Sequence, residues 1–419
     1  MSTTDDVDFF RGGAVLKDPY PYYEELRARC PVHREPHQGV FMVTGYDEAL
    51  EVYHDTETFS SCNSVTGPFP GFKVPLVGDD VSALIEQYRD ELPFSDQLPT
   101  FDPPKHTAHR GLLLRLLSPK RLKENEDAMW RLADQQIDEF IGAGACDIVN
   151  EFAAPFAMLV IAELLGVPDE DVADFRTQLV RTKGLGQGDS QTMEHTPLEF
   201  LYEKFSAYVE ARRAQPRNDV LTQMAQATYP DGSMPEVIDV VRVAANLFAA
   251  GQETTVRMLG SAFQLIAEDA SLQSALRTDA ARIPNFVEEV LRFESPIKGD
   301  FRLARVPTTV GDVAVPAGTT VMVLNGAANR DPDKFADPAT FDPERANARE
   351  HVAFGHGVHY CPGAPLARAE GRIAIERVLG RTTDISVSEE HHGPAGERKF
   401  RYVPTYMLRG VQELHVDFS

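Results

Sequence analysis

Basic residues, cysteines and long apolar runs are what this 419-residue chain has least of, and each shortage narrows the reading. Lysine and arginine number 41 against 64 aspartates and glutamates, a formal net charge of -23. Such a chain repels nucleic acid and anionic membrane surfaces and leaves a polyanion only a local basic patch to bind. The four cysteines, Cys30, Cys62, Cys146 and Cys361, lie far apart and form no C-x-x-C pair, which argues against a zinc ribbon or a thioredoxin-like site. No apolar run approaches the roughly 20 residues that span a bilayer. The start, Met1-Ser2-Thr3-Thr4-Asp5-Asp6, has neither the basic nor the apolar part of a signal peptide, so a cytoplasmic location without a membrane anchor is expected.

What is present is an ordinary globular composition, 42% hydrophobic and 25% charged. Residues 1–10 are expected to be disordered. A helix-like stretch over 20–29 precedes two strand-like runs, 32–35 and 40–44, with His37-Gln38-Gly39 as the turn. Residues 59–103 lose periodicity and are rich in Pro, Gly and Phe, which predicts a mobile lid. Apolar positions then recur at helical intervals over 112–117, 128–141, 152–165 and 200–211, interrupted by the glycines of 184–188; residues 183–196 are read as a second mobile loop. The stretch 235–267 reads as one long helix, apolar on more than one face and so central. Short β-type runs follow at 313–315 and 320–324. No repeat or interdomain linker is visible, so residues 1–419 form one domain, mainly α with a smaller β region (α+β).

The most informative segment is Phe354-Gly355-His356-Gly357-Val358-His359-Tyr360-Cys361-Pro362-Gly363, three glycines and one cysteine ahead of a helix over about 365–379. Glycines permit turns that other residues cannot make and leave room for a flat cofactor. A sulfur near a helix N-terminus is favoured as the thiolate, the form that binds a metal. The pattern F-G-x-G-x-H-x-C-x-G resembles the haem-binding loop of the cytochromes P450, and three further motifs extend the resemblance over most of the chain. It implies a helical prism of triangular outline with haem between the long central helix and the helix after Cys361. Cys361 would be the axial iron ligand, and Phe354, Gly355, Gly363 and Ala250 would lie against the haem.

Glu289-Val290-Leu291-Arg292 places acid and base at i and i+3, where they can pair on a helix. In the family the corresponding pair is buried and joined by an arginine, which Arg345 matches, so Glu289, Arg292 and Arg345 are expected to form a structural clamp behind the cysteine loop. Ala249-Ala250-Gly251-Gln252-Glu253-Thr254-Thr255 resembles the oxygen-activating signature A-G-x-[DE]-T. Gly251 costs roughly 1 kcal/mol in a helix interior, suggesting a close approach or a local opening. The Thr254 hydroxyl can bond back one turn. By resemblance Thr254 holds dioxygen and a water, and Glu253 passes protons inward. Asn246, Ala250 and Glu253/Thr254 share a face; if that face looks onto the haem, Asn246 and Ala249 lie in the substrate pocket, and a satisfied buried amide is the other reading of Asn246.

The resemblance also implies propionate anchors: His106 and Arg110, spaced i and i+4, with Arg302 and His359. From Lys105 to Lys123 there are bases and no acid, and Arg115, Lys120, Arg121 and Lys123 are read as a docking patch for an acidic ferredoxin. No nucleotide-binding G-x-G-x-x-G follows a strand and no cysteine cluster suits an iron–sulfur centre, so ferredoxin and ferredoxin reductase are separate proteins passing electrons from NAD(P)H. The implied activity is hydroxylation of a hydrophobic small molecule by a monomeric enzyme with haem b and O2. A peroxygenase, a dehydrating haem-thiolate enzyme or a haem sensor are the rivals, and the Glu253-Thr254 pair favours oxygen activation. Phe69, Phe72, Phe94 and Leu98 suggest an apolar ligand, Ile297 is expected to face it, and Lys298 is a charge suited to a substrate carboxylate. Terpenoid, steroid, fatty acid and aromatic substrates all stay open.

Overall fold

A computed structural model describes residues 6–179 and 196–419. Its centre is the helix Val237–Glu268, which buries Val240, Val241, Ala244, Ala245, Leu247 and Phe248 before its midpoint and Val256, Leu259, Phe263 and Ile266 after it. Apolar residues on several faces require partners on several sides, and the helices Ala154–Leu165, Thr196–Ala214 and Ala364–Arg381 pack around it. Helix Pro119–Phe140 lies against Ala364–Arg381, the cysteine helix, and is started by Ser118, whose hydroxyl accepts the Arg121 amide.

Among the described residues ten short strands form three sheets: β1 (Val32–Arg34), β2 (Phe41–Val43), β3 (Phe59–Ser60), β4 (Ala145–Asp147), β5 (Asp300–Ala304), β6 (Thr308–Val310), β7 (Val313–Val315), β8 (Thr320–Val323), β9 (Ile385–Val387) and β10 (His415–Phe418). The largest has the order β1-β2-β8-β5-β3, with β2 and β8 parallel and the other pairs antiparallel; the others are β4-β10-β9 and the hairpin β6-β7. Pairing Arg302 opposite Val321 on a central strand fixes that arginine on a rigid element.

Two expectations of disorder change. Phe9 and Phe10 are wholly buried among Tyr22, Tyr23, Phe301 and Tyr406, so within 1–10 the described residues include a packed anchor. The segment 59–103 contains β3, the helix Ser82–Tyr88 and a satellite core of Cys62, Val81, Ile85 and Leu92. Of the second proposed loop, residues 183–195 lie outside the described residues, and Thr196 already opens a helix. Among the described residues one stretch, Ile148–Leu165, is long and apolar enough to cross a membrane, contrary to the sequence reading; 67% of it is buried within the fold.

Candidate active site

The cysteine loop is closed by its own backbone, the Cys361 amide donating to the Phe354 carbonyl at 2.8 Å. Gly355 and Gly357 turn it with φ of +66° and +68°, and a Cβ on Gly357 would stand 2.6 Å from the Tyr53 carbonyl oxygen. Glycine is therefore dictated there by both conformation and space. Burial pushes the Cys361 thiol pKa up, while the N–H groups of Gly363 and Ala364 and the Arg110 guanidinium pull it down. The helix N-terminus acts as the sequence suggested, but burial outweighs it. A coordinated metal deprotonates such a thiol outright.

Behind the loop, Arg292 donates twice to Glu289, at 2.7 Å each, and both side chains have no solvent exposure. Arg345 donates to the same carboxylate at 3.2 Å and the Asp342 amide at 2.9 Å. The remaining guanidinium N–H groups meet the carbonyls of Asn329, Pro338, Thr340 and Ala336. A second clamp was missed in the sequence. Glu288 takes two bonds from Arg368, at 2.6 and 3.0 Å, and lies 3.1 Å from His351. Burial opposes its ionisation, but these partners bring its pKa down to about 2. Arg368 also lies over the Phe354 ring, tying the clamp to the loop.

Helix Lys105–Leu116 reaches the loop through Arg110, which donates to the Tyr360 carbonyl at 2.5 Å. His106 and His359 face each other with ring centroids 4.0 Å apart. Burial and neighbouring cations lower both, His106 to about 4 by burial and Arg110, and His359 to about 2 by burial, Arg302 and His106. Arg302 is buried over the Tyr53 ring. The nearby Asp102 is already bonded by Ser60, Ser61, Arg89 and Arg305. Among the described residues neither Arg110 nor Arg302 has an ion-pair partner, and His106 Nδ1 is buried without one.

The central helix supplies the opposite wall. Although buried before and after, it exposes Ala249 and Ala250 and leaves Asn246, Glu253 and Thr254 partly exposed, a stripe at i, i+3, i+4, i+7 and i+8. Thr254 Oγ1 donates to the Ala250 carbonyl at 2.9 Å, the back-bond expected from the sequence. The helical ladder stays α throughout, so of the two readings of Gly251, a close approach or a local opening, the structure has the first. A Cβ there would lie 2.5 Å from Ile161 Cδ1, and close helix packing accounts for the glycine. Glu253 has a partner the sequence reading overlooked, Arg257 one turn on at 3.5 Å. Burial raises the acid and lowers the base, each time against the attraction of the other.

Glu370 was also missed. It lies on the cysteine helix, wholly buried, and accepts from Thr255 at 3.1 Å while its Oε1 has no partner. Burial holds its pKa up at about 8, the Thr255 bond pulling the other way. Its place between Leu366 and Ile373 on an apolar face was the available signal.

The proposed substrate contacts are less coherent. Leu98 belongs to the main core, Phe69 packs against the N-terminal cluster at Phe10 and Tyr406, and Phe72 packs against the satellite core of its own segment. Phe94 is buried at φ +60°. Ile297 is partly exposed and bridges to Leu408. Lys298 turns away from any substrate carboxylate: its ammonium donates to the carbonyls of Leu16 and Thr405 at 2.7 and 2.6 Å. In the basic patch Arg115, Lys120 and Lys123 are exposed, whereas Arg121 reaches back to the Leu164 carbonyl.

A buried thiol beside Arg110, with Arg302 and the orphaned His106 imidazole nitrogen close by and exposed alanines on the central helix, fits a flat dianionic iron porphyrin held by sulfur. The family model for cytochrome P450 matches residues 186–383. Cytochrome P450 144 of Mycobacterium tuberculosis is 33% identical over 99% of this chain and 92% of its own. The 6-deoxyerythronolide B hydroxylase of Saccharopolyspora erythraea is 31% identical over 99% of each. Substrate-free CYP150A6 of Mycobacterium marinum superposes with a TM-score of 0.94 at 53% identity, covering 100% of this chain and 99% of that one. CYP109E1 of Bacillus megaterium with corticosterone gives 0.80 at 26% identity, covering 96% and 98%. The chain belongs to the cytochrome P450 family and is an enzyme of the haem-thiolate monooxygenase class.

Proposed function

We propose that the protein binds haem b and hydroxylates a C–H bond of a hydrophobic small molecule, with electrons from NAD(P)H delivered through a separate ferredoxin and its reductase. The balance is R–H + O2 + two electrons + two protons giving R–OH + H2O. When bound, the haem supplies the activation of dioxygen and the oxygen transfer. The observation that carries the reading is the accessible stripe Asn246, Ala249, Ala250, Glu253 and Thr254, with Ala249 and Ala250 exposed in the middle of a helix that buries apolar residues on both sides of them. An apolar wall with one hydroxyl and one partly exposed carboxyl has room for substrate and a place to hold protons.

Each residue then has a task. Cys361 Sγ would hold the iron, and His106, Arg110, Arg302 and His359 would hold the propionates. Ala249 and Ala250, with no polar side-chain atoms, leave space for an apolar substrate. Glu253, whose pKa burial raises against the pull of Arg257, takes up and passes on protons at its carboxyl oxygen, and Thr254 orients the accepting water. Arg115, Lys120 and Lys123, beside the exposed Leu114, receive the acidic ferredoxin.

The test is spectroscopic, then chemical. The ferrous carbonyl complex should show the red-shifted Soret band of thiolate ligation, and Cys361→Ala should lose it. A spin-state screen over terpenoids, steroids, fatty acids and aromatics should find ligands, and NAD(P)H with surrogate redox proteins should convert them to hydroxylated products. An unaltered spectrum in Cys361→Ala, or bound ligands that no electron supply converts, would overturn the proposal.

A further inference from the structure

Away from the haem side, the sheet β4-β10-β9 gathers a donor set that the monooxygenase reaction does not use. We propose that Asp147, Glu413 and His415 bind a divalent transition-metal ion of the zinc class. Strand register creates the cluster: His415 on β10 stands opposite Asp147 on β4, and Glu413, two residues before His415, shares its face. One ligand atom from each of the three lies within 4.8 Å of the others. One imidazole and two carboxylates suit zinc, nickel or cobalt rather than calcium or magnesium, and three protein ligands leave a coordination position for water.

The ligands are oriented by their surroundings. Asp147 Oδ1 accepts the amides of Val149, Asn150 and Leu414, and Oδ2 accepts the Asn150 side chain at 2.5 Å. The His415 ring stacks on His391 with centroids 3.9 Å apart and planes 12° apart, and its amide donates to His392 Nε2 at 2.9 Å. Glu151 adds a third carboxylate, accepting the Asp147 amide at 2.8 Å. Against these three acids stands one guanidinium, Arg401, whose Nε meets Glu413 at 2.9 Å. Its Nη2 also meets the second Glu413 oxygen at 2.5 Å, so a metal ion has to displace the guanidinium; Arg401 is 67% exposed and can turn out into solvent, whereas Glu413 is 28% exposed and stays at the cluster. The bound ion would join the start of the run leading into helix Ala154–Leu165 to the C-terminal strand, and so stabilise the native state by mass action.

Equilibrium dialysis of the chelator-treated holoenzyme against zinc should give one ion per chain at micromolar free zinc, and zinc should raise the unfolding midpoint. His415→Ala should weaken binding about tenfold or more and abolish that rise. Glu413→Gln, a change of nearly equal size at a partly buried side chain, gives a second variant that should also bind more weakly. The exposed pair His54 and His356, with facing ring nitrogens 2.7 Å apart, is the competing location. Zinc binding lost in His54→Ala but kept in His415→Ala and Glu413→Gln would overturn the proposal, as would no binding by the native enzyme or an equal response to magnesium.

Discussion

The two walls of the haem site are built on opposite terms. On the cysteine side, the Glu289 carboxylate takes four hydrogen bonds from Arg292, Arg345 and the Asp342 amide, and Glu288 is held by Arg368 and His351. On the central-helix side, Thr254 bonds only to its own helix, Ala249 and Ala250 have no polar side-chain atoms, and Asn246 has no partner among the described residues. Holding one sulfur in place takes buried, mutually bonded charge, because a buried ion is tolerable only when all its partners are fixed. A pocket for a changing guest needs the reverse, a wall whose side chains owe little to the fold.

The sharpest way to break this contrast is to cut the clamp. Arg292→Ala leaves the Glu289 carboxylate buried with fewer partners, a loss of about 3–5 kcal/mol. We expect little folded, haem-loaded protein, read by the pigment yield and by urea unfolding. A clamp variant as stable as the native enzyme would show that the two walls do not differ in kind.

Two glycines sharpen the same comparison at smaller scale. A methyl group on Gly357 meets the Tyr53 backbone carbonyl at a positive φ, whereas one on Gly251 meets only the tip of the Ile161 side chain. Gly357→Ala should cost about 1–3 kcal/mol. Gly251→Ala should cost less, because the Ile161 terminus can shift and alanine regains about 1 kcal/mol of helix propensity. Urea unfolding of the two variants measures the difference, and equal losses would contradict the assignment of Gly251 to helix packing.

The two missed carboxyl groups predict opposite pH dependences. Glu370 has a native pKa of about 8 against an ordinary 4.5, so the native state keeps a proton that the unfolded chain releases. Its stabilising contribution is complete below about pH 4.5 and is lost as pH rises through about 8. Glu288, lowered to about 2, contributes above about pH 4.5 and loses that contribution as pH falls toward about 2. Glu370→Gln should flatten the alkaline decline of the unfolding midpoint, and Glu288→Gln the acid decline. Identical profiles for the two variants would show that neither group is linked in this way.

Much of this could be read from the chain because it was local. The central helix, expected over 235–267, spans Val237–Glu268, and the helix expected over 20–29 spans Tyr20–Arg29, since apolar spacing and flanking prolines act within a few residues. The glycine loop was legible for the same reason. The misses were non-local. The partners of Glu288 and Glu370 lie 63, 80 and 115 residues away, and the cavity that receives Phe10 is completed by Phe301 and Tyr406. Lys298 was misassigned because the Leu16 and Thr405 carbonyls that hold it come from the two ends of the chain. Arg257 is the exception: at i+4 from Glu253 it was visible in the sequence and was passed over.

The smallest expected effect tests the open wall itself. Asn246 is partly exposed and has no hydrogen-bond partner among the described residues, so Asn246→Leu leaves no buried group unpaired. Its stability should stay within about 0.5 kcal/mol of the native enzyme. If its amide meets a polar group on the substrate, removing it costs about 1 kcal/mol of binding, roughly fivefold in affinity, and relaxes the position of hydroxylation. Spin-state titration and product ratios read both effects. Unchanged affinity and products would remove Asn246 from the pocket, whereas a stability loss as large as that of Arg292→Ala would make it part of the scaffold and erase the difference between the walls.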